Sequence, residues 1–369
     1  MPSTVYQGPK TEGRTITFAQ GIREALSESL ARDPTVFLMG EGIADPAAFF
    51  GTTAGILERF GASRMVEMPV AENGLVGVAI GAAMNGRRPV ISFHRVEFAL
   101  LAFEQIANNA AKMHYVSNGH HRVPLVIRLI IGRGWGQGPE HSQCLEPIFA
   151  HIPGLKVVMP TFAGDAKGLL IAAIEDDNPV IFLEHRWLHN VVGYVPDGYV
   201  REELSGPRVV VPGTDATIVA TSYMTLEALR AAEALKTVGF MAEVIDLRVL
   251  RPLNADPIVA SVKRTGGLVH VDSGWTTYGI GAEVVARVVA GAFGDLKSAP
   301  IRLGLPDHPT PSSRGLVQGF YPDAAKIVDA VAKVAKLPSE TVARVQGLLN
   351  KERANLSIDT PDPFFKGPF

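Results

Sequence analysis

The chain reads as an α/β protein of two doubly wound, mostly parallel sheet domains. Short apolar runs alternate with helical stretches along most of its length, the pattern of parallel strands covered by helices. Its 369 residues exceed one small core, since domains run to roughly 100–200 residues each. Hydrophobic residues make up 47% and charged residues 20%, so a large packed core is expected and disorder is not.

The elements follow in order. Residues 18–31 form an amphipathic helix, and Val36–Gly40 is an apolar strand. The next helix is built of small side chains with Gly74, Gly77 and Gly81 on one face, beside Ala82, where a neighbouring helix or a second subunit can approach closely. Gly86 and Pro89 end it. A strand at 89–93, a helix at 98–115 and a strand at 123–131 come next. The last is apolar but for Pro124 and Arg128, as expected of a strand buried on both faces. After a glycine loop at 132–138, a helix at 163–175 and a strand at 179–184 close the first unit. Residues 192–213, broken by Gly193, Pro196, Gly198 and Pro207, read as a linker. The second unit repeats the alternation: strands at 216–222, 242–246, 268–272 and 301–305, and helices at 226–238, 256–263, 281–292 and 324–334. The expected divisions are therefore 1–191, 192–213, 214–336 and an arm at 337–369 that packs on a partner or stays mobile.

Charge and composition narrow the function. The net charge of −2 leaves no footprint for nucleic acid or an anionic membrane. The uncharged stretch 73–86 is shorter than the ~20 residues of a membrane span. One cysteine, Cys144, excludes an intrachain disulfide, and with no signal-peptide pattern at the start the expected location is the cytoplasm.

Glu72 is the most telling residue. It opens the small-residue helix, and no further charge appears until Arg87. A carboxylate at a helix start can be a simple cap. Buried without a partner, it can instead share a proton with a ligand nitrogen. His141 follows the glycine loop at the end of a buried strand, where ligands bind in doubly wound sheets and where an imidazole can move protons. The alternative for His141 is a structural hydrogen bond to the loop. Other motifs are weak. The glycine loop does not match G-x-G-x-x-G, no P-loop occurs, and Ser142 is not in a G-x-S-x-G elbow. Neither His120-His121 nor the pair His185/His189 has the further ligands a zinc site needs.

The set Glu72-Asn73-Gly74, Phe98 through Lys112, Gly138-Pro139-Glu140-His141-Ser142-Gln143, His151 through Val158, and Val244-Ile245-Asp246-Leu247-Arg248 with Arg251-Pro252-Leu253 resembles, in order, the beta subunit of thiamine-diphosphate-dependent 2-oxo acid dehydrogenases. That family is part of the transketolase-like superfamily. The resemblance implies a pyrimidine-binding domain followed by a transketolase C-terminal domain. It also implies that Glu72 hydrogen-bonds the cofactor's aminopyrimidine ring and favours its imino tautomer, which accepts the thiazolium proton. Phe98 would pack against the pyrimidine, and His141 would face the substrate. A potassium ion would be held by main-chain oxygens of Leu125, Ala173, Asp176 and Asn178. The superfamily's magnesium–diphosphate motif, Gly-Asp-Gly, is missing from this chain. The resemblance therefore implies half a site, completed by an alpha subunit carrying Mg2+ and diphosphate in an assembly of two alpha and two beta chains, with a lipoyl acyltransferase core as acyl acceptor.

One departure bears on substrate. His94-Arg95-Val96-Glu97 is more polar than in pyruvate-type relatives. Arg95 either pairs with Glu97 on the surface or, with His94, meets a carboxylate, phosphate or hydroxyl of a polar 2-oxo acid or ketose. Arg133 and Trp135 point the same way. The competing functions are a split transketolase-like carboligase acting without oxidation, a non-catalytic scaffold that keeps the fold, and, more distantly, a nicotinamide dehydrogenase lacking its fingerprint.

Overall fold

A computed structural model describes residues 13–45, 48–134 and 136–365. Among the described residues, the largest sheet has seven strands in the order Val249–Arg251, Lys156–Val158, Val180–His185, Val126–Ile131, Arg88–Phe93, Val36–Gly40 and Met65–Glu67. All its pairings are parallel except that of Val249–Arg251 with Lys156–Val158. A second, five-stranded sheet runs Ile301–Leu305, Leu268–Trp275, Ala216–Ala220, Ala242–Asp246 and Arg208–Val211, with only the last antiparallel. Trp135 lies outside the described residues. None of the described helices is long and apolar enough to cross a membrane.

The burial explains the sequence pattern. Val126–Ile131 is buried at every position. Its interrupting Arg128 is buried and forked onto Glu184 through Nε and Nη2 at 2.6 and 3.0 Å; Nη2 also donates to Thr52, and Nη1 donates to Ser92. Helix Ala163–Glu175 is apolar nearly all round and buried along all but its last residue, as such a helix must be. Helix Phe18–Arg32, which packs on it, begins with a reciprocal cap between Thr17 and Gln20.

Four regions depart from the sequence reading. The helix expected at 98–115 is instead a 3-10 turn Val96–Leu100, a π-helix Gln105–Ala110 and a short α-helix Met113–Val116. The wide turn is closed by Ala111 N–H donating to the Ile106 carbonyl at 3.0 Å, and such bulges recur at functional sites. A Cβ on Gly154 would sit 1.8 Å from the Ala111 carbonyl oxygen, so glycine is required in the Pro153-Gly154-Leu155 turn that packs there.

The stretch 192–213 is not purely a linker. Val192–Val195 pairs with Arg14–Thr17, and Arg208–Val211 edges the second sheet. The C-terminal arm folds onto its own chain. Helix Ser339–Arg353 buries Val345 and Leu349, and the residues beyond it run back to Tyr223 and Arg230. Among the described residues Gly74 and Gly81 meet no backbone of another element, and Val78 beside them is 58% exposed. At Gly77 the face is covered from within the chain, where the side chain of Gln105 in the π-helix Gln105–Ala110 lies 3.8 Å from where a Cβ would stand.

Candidate active site

Four adjacent parallel strands end at one edge of the seven-stranded sheet, and the sequence places a chemical group after each. Glu41 follows Val36–Gly40, and Glu72 follows Met65–Glu67 after a short connection. His94 and Arg95 follow Arg88–Phe93, and the glycine loop leading to His141 follows Val126–Ile131. The carboxyl edge of such a sheet is where backbone amides and loop side chains converge on ligands.

Glu72 is the first residue of helix Glu72–Met84 and is 7% exposed. Among the described residues no hydrogen bond reaches its carboxylate; at the first helical position its charge still meets the positive end of the helix dipole. Burial, then the nearby Glu72 charge, raises the pKa of Glu41 above the usual carboxylate range. Glu41 was not singled out in the sequence; its only signal there is its place just after an apolar strand.

Phe98 is half-buried, and its ring lies 5.4 Å from that of His141 at a tilt of 48°. The Nδ1 atom of His141 is buried and finds no hydrogen-bond partner among the described residues. A structural histidine tied to its loop through that nitrogen is therefore not what the geometry provides. Behind the ring, Glu97 accepts the Gln143 backbone N–H at 2.8 Å, and burial raises its carboxyl despite that bond. Glu97 thus anchors the far end of the segment that carries His141, a role its sequence position did not reveal.

Arg95 is neither at the surface nor hydrogen-bonded to Glu97. It is 4% exposed and donates to the Gly132 carbonyl at 2.5 Å and to the Gln137 side-chain oxygen. Burial pulls its guanidinium down to about 10. His94 stacks on Phe49 at 4.3 Å, and burial lowers its pKa. The glycine loop needs Gly132 itself: its φ is +81°, and a Cβ there would lie 2.7 Å from the His185 ring.

At the opposite edge, the Leu125 carbonyl accepts from Val180 N–H at 2.8 Å. The Asp176 carbonyl accepts from Arg88 Nη1 at 3.0 Å, so an ion held there would share that oxygen with a guanidinium. Asn178 caps the Asp176 side chain through its backbone and amide nitrogens at 2.9 and 2.8 Å. Ala173 is buried in the last turns of helix Ala163–Glu175. His185 and His189 are fully buried, and burial drives them down to about 3 and about 4. His185 stacks on Tyr223, and among the described residues no cluster of three or more His, Cys, Asp or Glu is placed to hold a metal. Cys144 is free and buried, its thiol raised well above normal first by that burial.

Two doubly wound domains in this order are those of a transketolase-like protein. Residues 14–190 match the family described as transketolase, pyrimidine binding domain, and residues 207–327 the transketolase C-terminal domain. The pyruvate dehydrogenase E1 component subunit beta of Rhizobium meliloti is 40% identical over 326 residues, 88% of this chain and 71% of that protein. Its Rickettsia felis counterpart is 40% identical over 86% of this chain and 98% of its own length. The acetoin:2,6-dichlorophenolindophenol oxidoreductase subunit beta of Cupriavidus necator is also 40% identical, over 88% of this chain and 98% of its own. The chain belongs to the family of beta subunits of 2-oxo acid dehydrogenase decarboxylating components, and is thus an enzyme subunit. A solved split-gene transketolase, an inactive beta4 tetramer, shares the fold with a TM-score of 0.69 at 24% identity, covering 88% of this chain and 99% of its own.

Proposed function

We propose that this chain supplies the pyrimidine-side half of a thiamine-diphosphate site at which a 2-oxo acid is decarboxylated and its acyl group passed to a lipoyl carrier. The observation that carries this reading is the meeting at one sheet edge of an unpartnered buried carboxylate, Glu72, with the Phe98–His141 pair and its orphaned Nδ1. These residues fit an aminopyrimidine: an acid for a ring nitrogen, a flat apolar wall, and an imidazole beyond it. When bound, thiamine diphosphate supplies the nucleophilic carbon for decarboxylation. Glu72 holds a proton at the pyrimidine in a dry setting, Phe98 excludes water and orients the ring, and His141 holds or moves a proton on the substrate side.

No Gly-Asp-Gly occurs in the chain, so the diphosphate and Mg2+ are assigned to an alpha-type partner in a two-alpha, two-beta assembly. The exposed glycine face of helix Glu72–Met84, with Val70 and Val78, is a surface such an assembly would cover. Potassium at Leu125, Ala173, Asp176 and Asn178, a cytoplasmic location and docking to a lipoyl acyltransferase core belong to the same proposal. Identity does not choose the substrate, since a pyruvate and an acetoin enzyme subunit are equally similar. Because Arg95 holds the glycine loop, its effect on a polar 2-oxo acid or ketose passes through the loop's shape, beside His94. The non-oxidative carboligase would be recognised by transfer to an aldehyde rather than to a lipoyl group.

The test is carbon dioxide release from 2-oxo acids by the chain reconstituted with an alpha-type subunit, thiamine diphosphate and Mg2+. Glu72→Gln should lower turnover on the order of 100-fold or more while leaving the assembly intact. Comparable turnover from Glu72→Gln, or robust turnover from the chain alone, would overturn the reading.

A further inference from the structure

Arg133 lies between two glycines of the 132–138 loop, yet its side chain is 2% exposed. A buried guanidinium in a flexible loop needs a fixed anion. The anion comes from 226 positions away: Asp359 accepts from Arg133 Nη1 through its carbonyl at 3.2 Å, and its carboxylate lies 3.7 Å from Nη2. Asp359, 4% exposed, is itself fixed by Arg314 at 2.9 Å and by the Ser357 hydroxyl at 2.8 Å.

The same stretch of chain also packs on the residue that holds the backbone of Arg133. Its carbonyl accepts from Trp187 Nε1 at 2.7 Å, and the Trp187 indole is packed edge-on by Tyr223 and Phe365. Tyr223 in turn donates to the Pro361 carbonyl at 3.0 Å, and the buried Asp362 is paired with Arg230. On its far side the loop is tied by Arg95 to Gly132 and Gln137, and Gln137 accepts Gly134 N–H at 2.9 Å. Three residues past Gly138 stands His141. A glycine-rich loop has little stiffness of its own, so these ties set where it stands.

We propose that residues 357–365 form a strap that fixes the 132–138 loop and thereby the position of His141, with Asp359 as the positioning residue. The kinetic half of this inference rests on His141 acting at the site proposed above; the strap itself does not. The experiment compares the full chain, Asp359→Asn and a chain ending at Arg353 by amide hydrogen exchange, followed by turnover of each with the alpha-type subunit. The peptide covering 132–143 should exchange roughly tenfold faster in both variants while strand Ala216–Ala220 keeps its protection. In the assembly, Asp359→Asn should lower kcat about tenfold and leave the KM for thiamine diphosphate within about twofold, as a misplaced proton-transfer group would.

Unchanged exchange at 132–143 in Asp359→Asn overturns the strap, even if the truncated chain fails to fold. Faster exchange with unchanged kcat overturns the positioning of His141. Faster exchange in an assembly whose wild-type form has no turnover upholds the strap and rejects the functional reading instead.

Discussion

Asp246 ends strand Ala242–Asp246 and lies in the Asp246-Leu247-Arg248 stretch that joins the two sheets. It is completely buried. One oxygen accepts from Thr161 at 3.0 Å and Thr225 at 3.2 Å; the other finds no partner among the described residues. Burial first, and then the neighbouring Asp165 charge, raise its carboxyl from 3.8 to about 7, against the opposing pull of Arg208 and Arg248. A carboxyl raised on folding binds more protons in the native than in the unfolded chain between those pH values. Its contribution to stability is therefore fully present below about 4, falls as pH rises, and is lost above about 7. At 1.36 kcal/mol per pKa unit the swing is about 4 kcal/mol. Asp246→Asn removes the titration. Urea unfolding from pH 4 to pH 8 should show wild-type stability falling across this window relative to the variant, with the variant the more stable of the two at pH 8. Parallel curves for the two proteins would refute the reasoning, because the carboxyl would then be ionised in the folded state throughout.

Two further outcomes follow from buried geometry. Arg128→Met leaves the buried Glu184 with His189 as its remaining partner among the described residues, and should destabilise by about 3–5 kcal/mol in chemical unfolding, whereas adding Glu184→Gln should recover much of the loss. Burial alone would raise the Glu184 carboxyl, but the Arg128 charge and the His189 bond hold it at about 2. Gly132→Ala, forced into φ +81° against the His185 ring, should cost at least about 1–3 kcal/mol in the same measurement and loosen the loop that carries His141.

Much of the alternation was legible because the central parallel strands, such as Val126–Ile131 and Ala216–Ala220, are buried on both faces and therefore read as short apolar runs. Val36–Gly40, Ala242–Asp246 and Ile301–Leu305 were read with the bounds they have. Glu72 stood out because a lone charge before fourteen uncharged residues is costly unless something uses it. The break in the expected helix at 98–115 was not legible, since a π-turn keeps the apolar spacing of an α-helix within one residue. Nor was the strand Val249–Arg251, which leaves the second unit to pair in the first sheet; three residues carry no period. Arg95 shows the limit most clearly. Its sequence neighbour Glu97 suggested a local pair, but the two side chains turn to different ends of one loop, Arg95 to Gly132 and Gln137, Glu97 to Gln143.

The sequence by itself determined the layered α/β class, the carboxylate at the head of the small-residue helix, the histidine after the glycine loop and the missing diphosphate motif. Periodicity, local burial cost and motif order are properties of neighbouring residues. Which distant groups meet was decided only by the tertiary structure. Asp246 against Thr161 and Glu41 against Glu72 are set by where strands end in sheets whose spatial order differs from the chain order, and Asp359 against Arg133 by the fold-back of the C-terminal segment; a linear pattern contains no record of either.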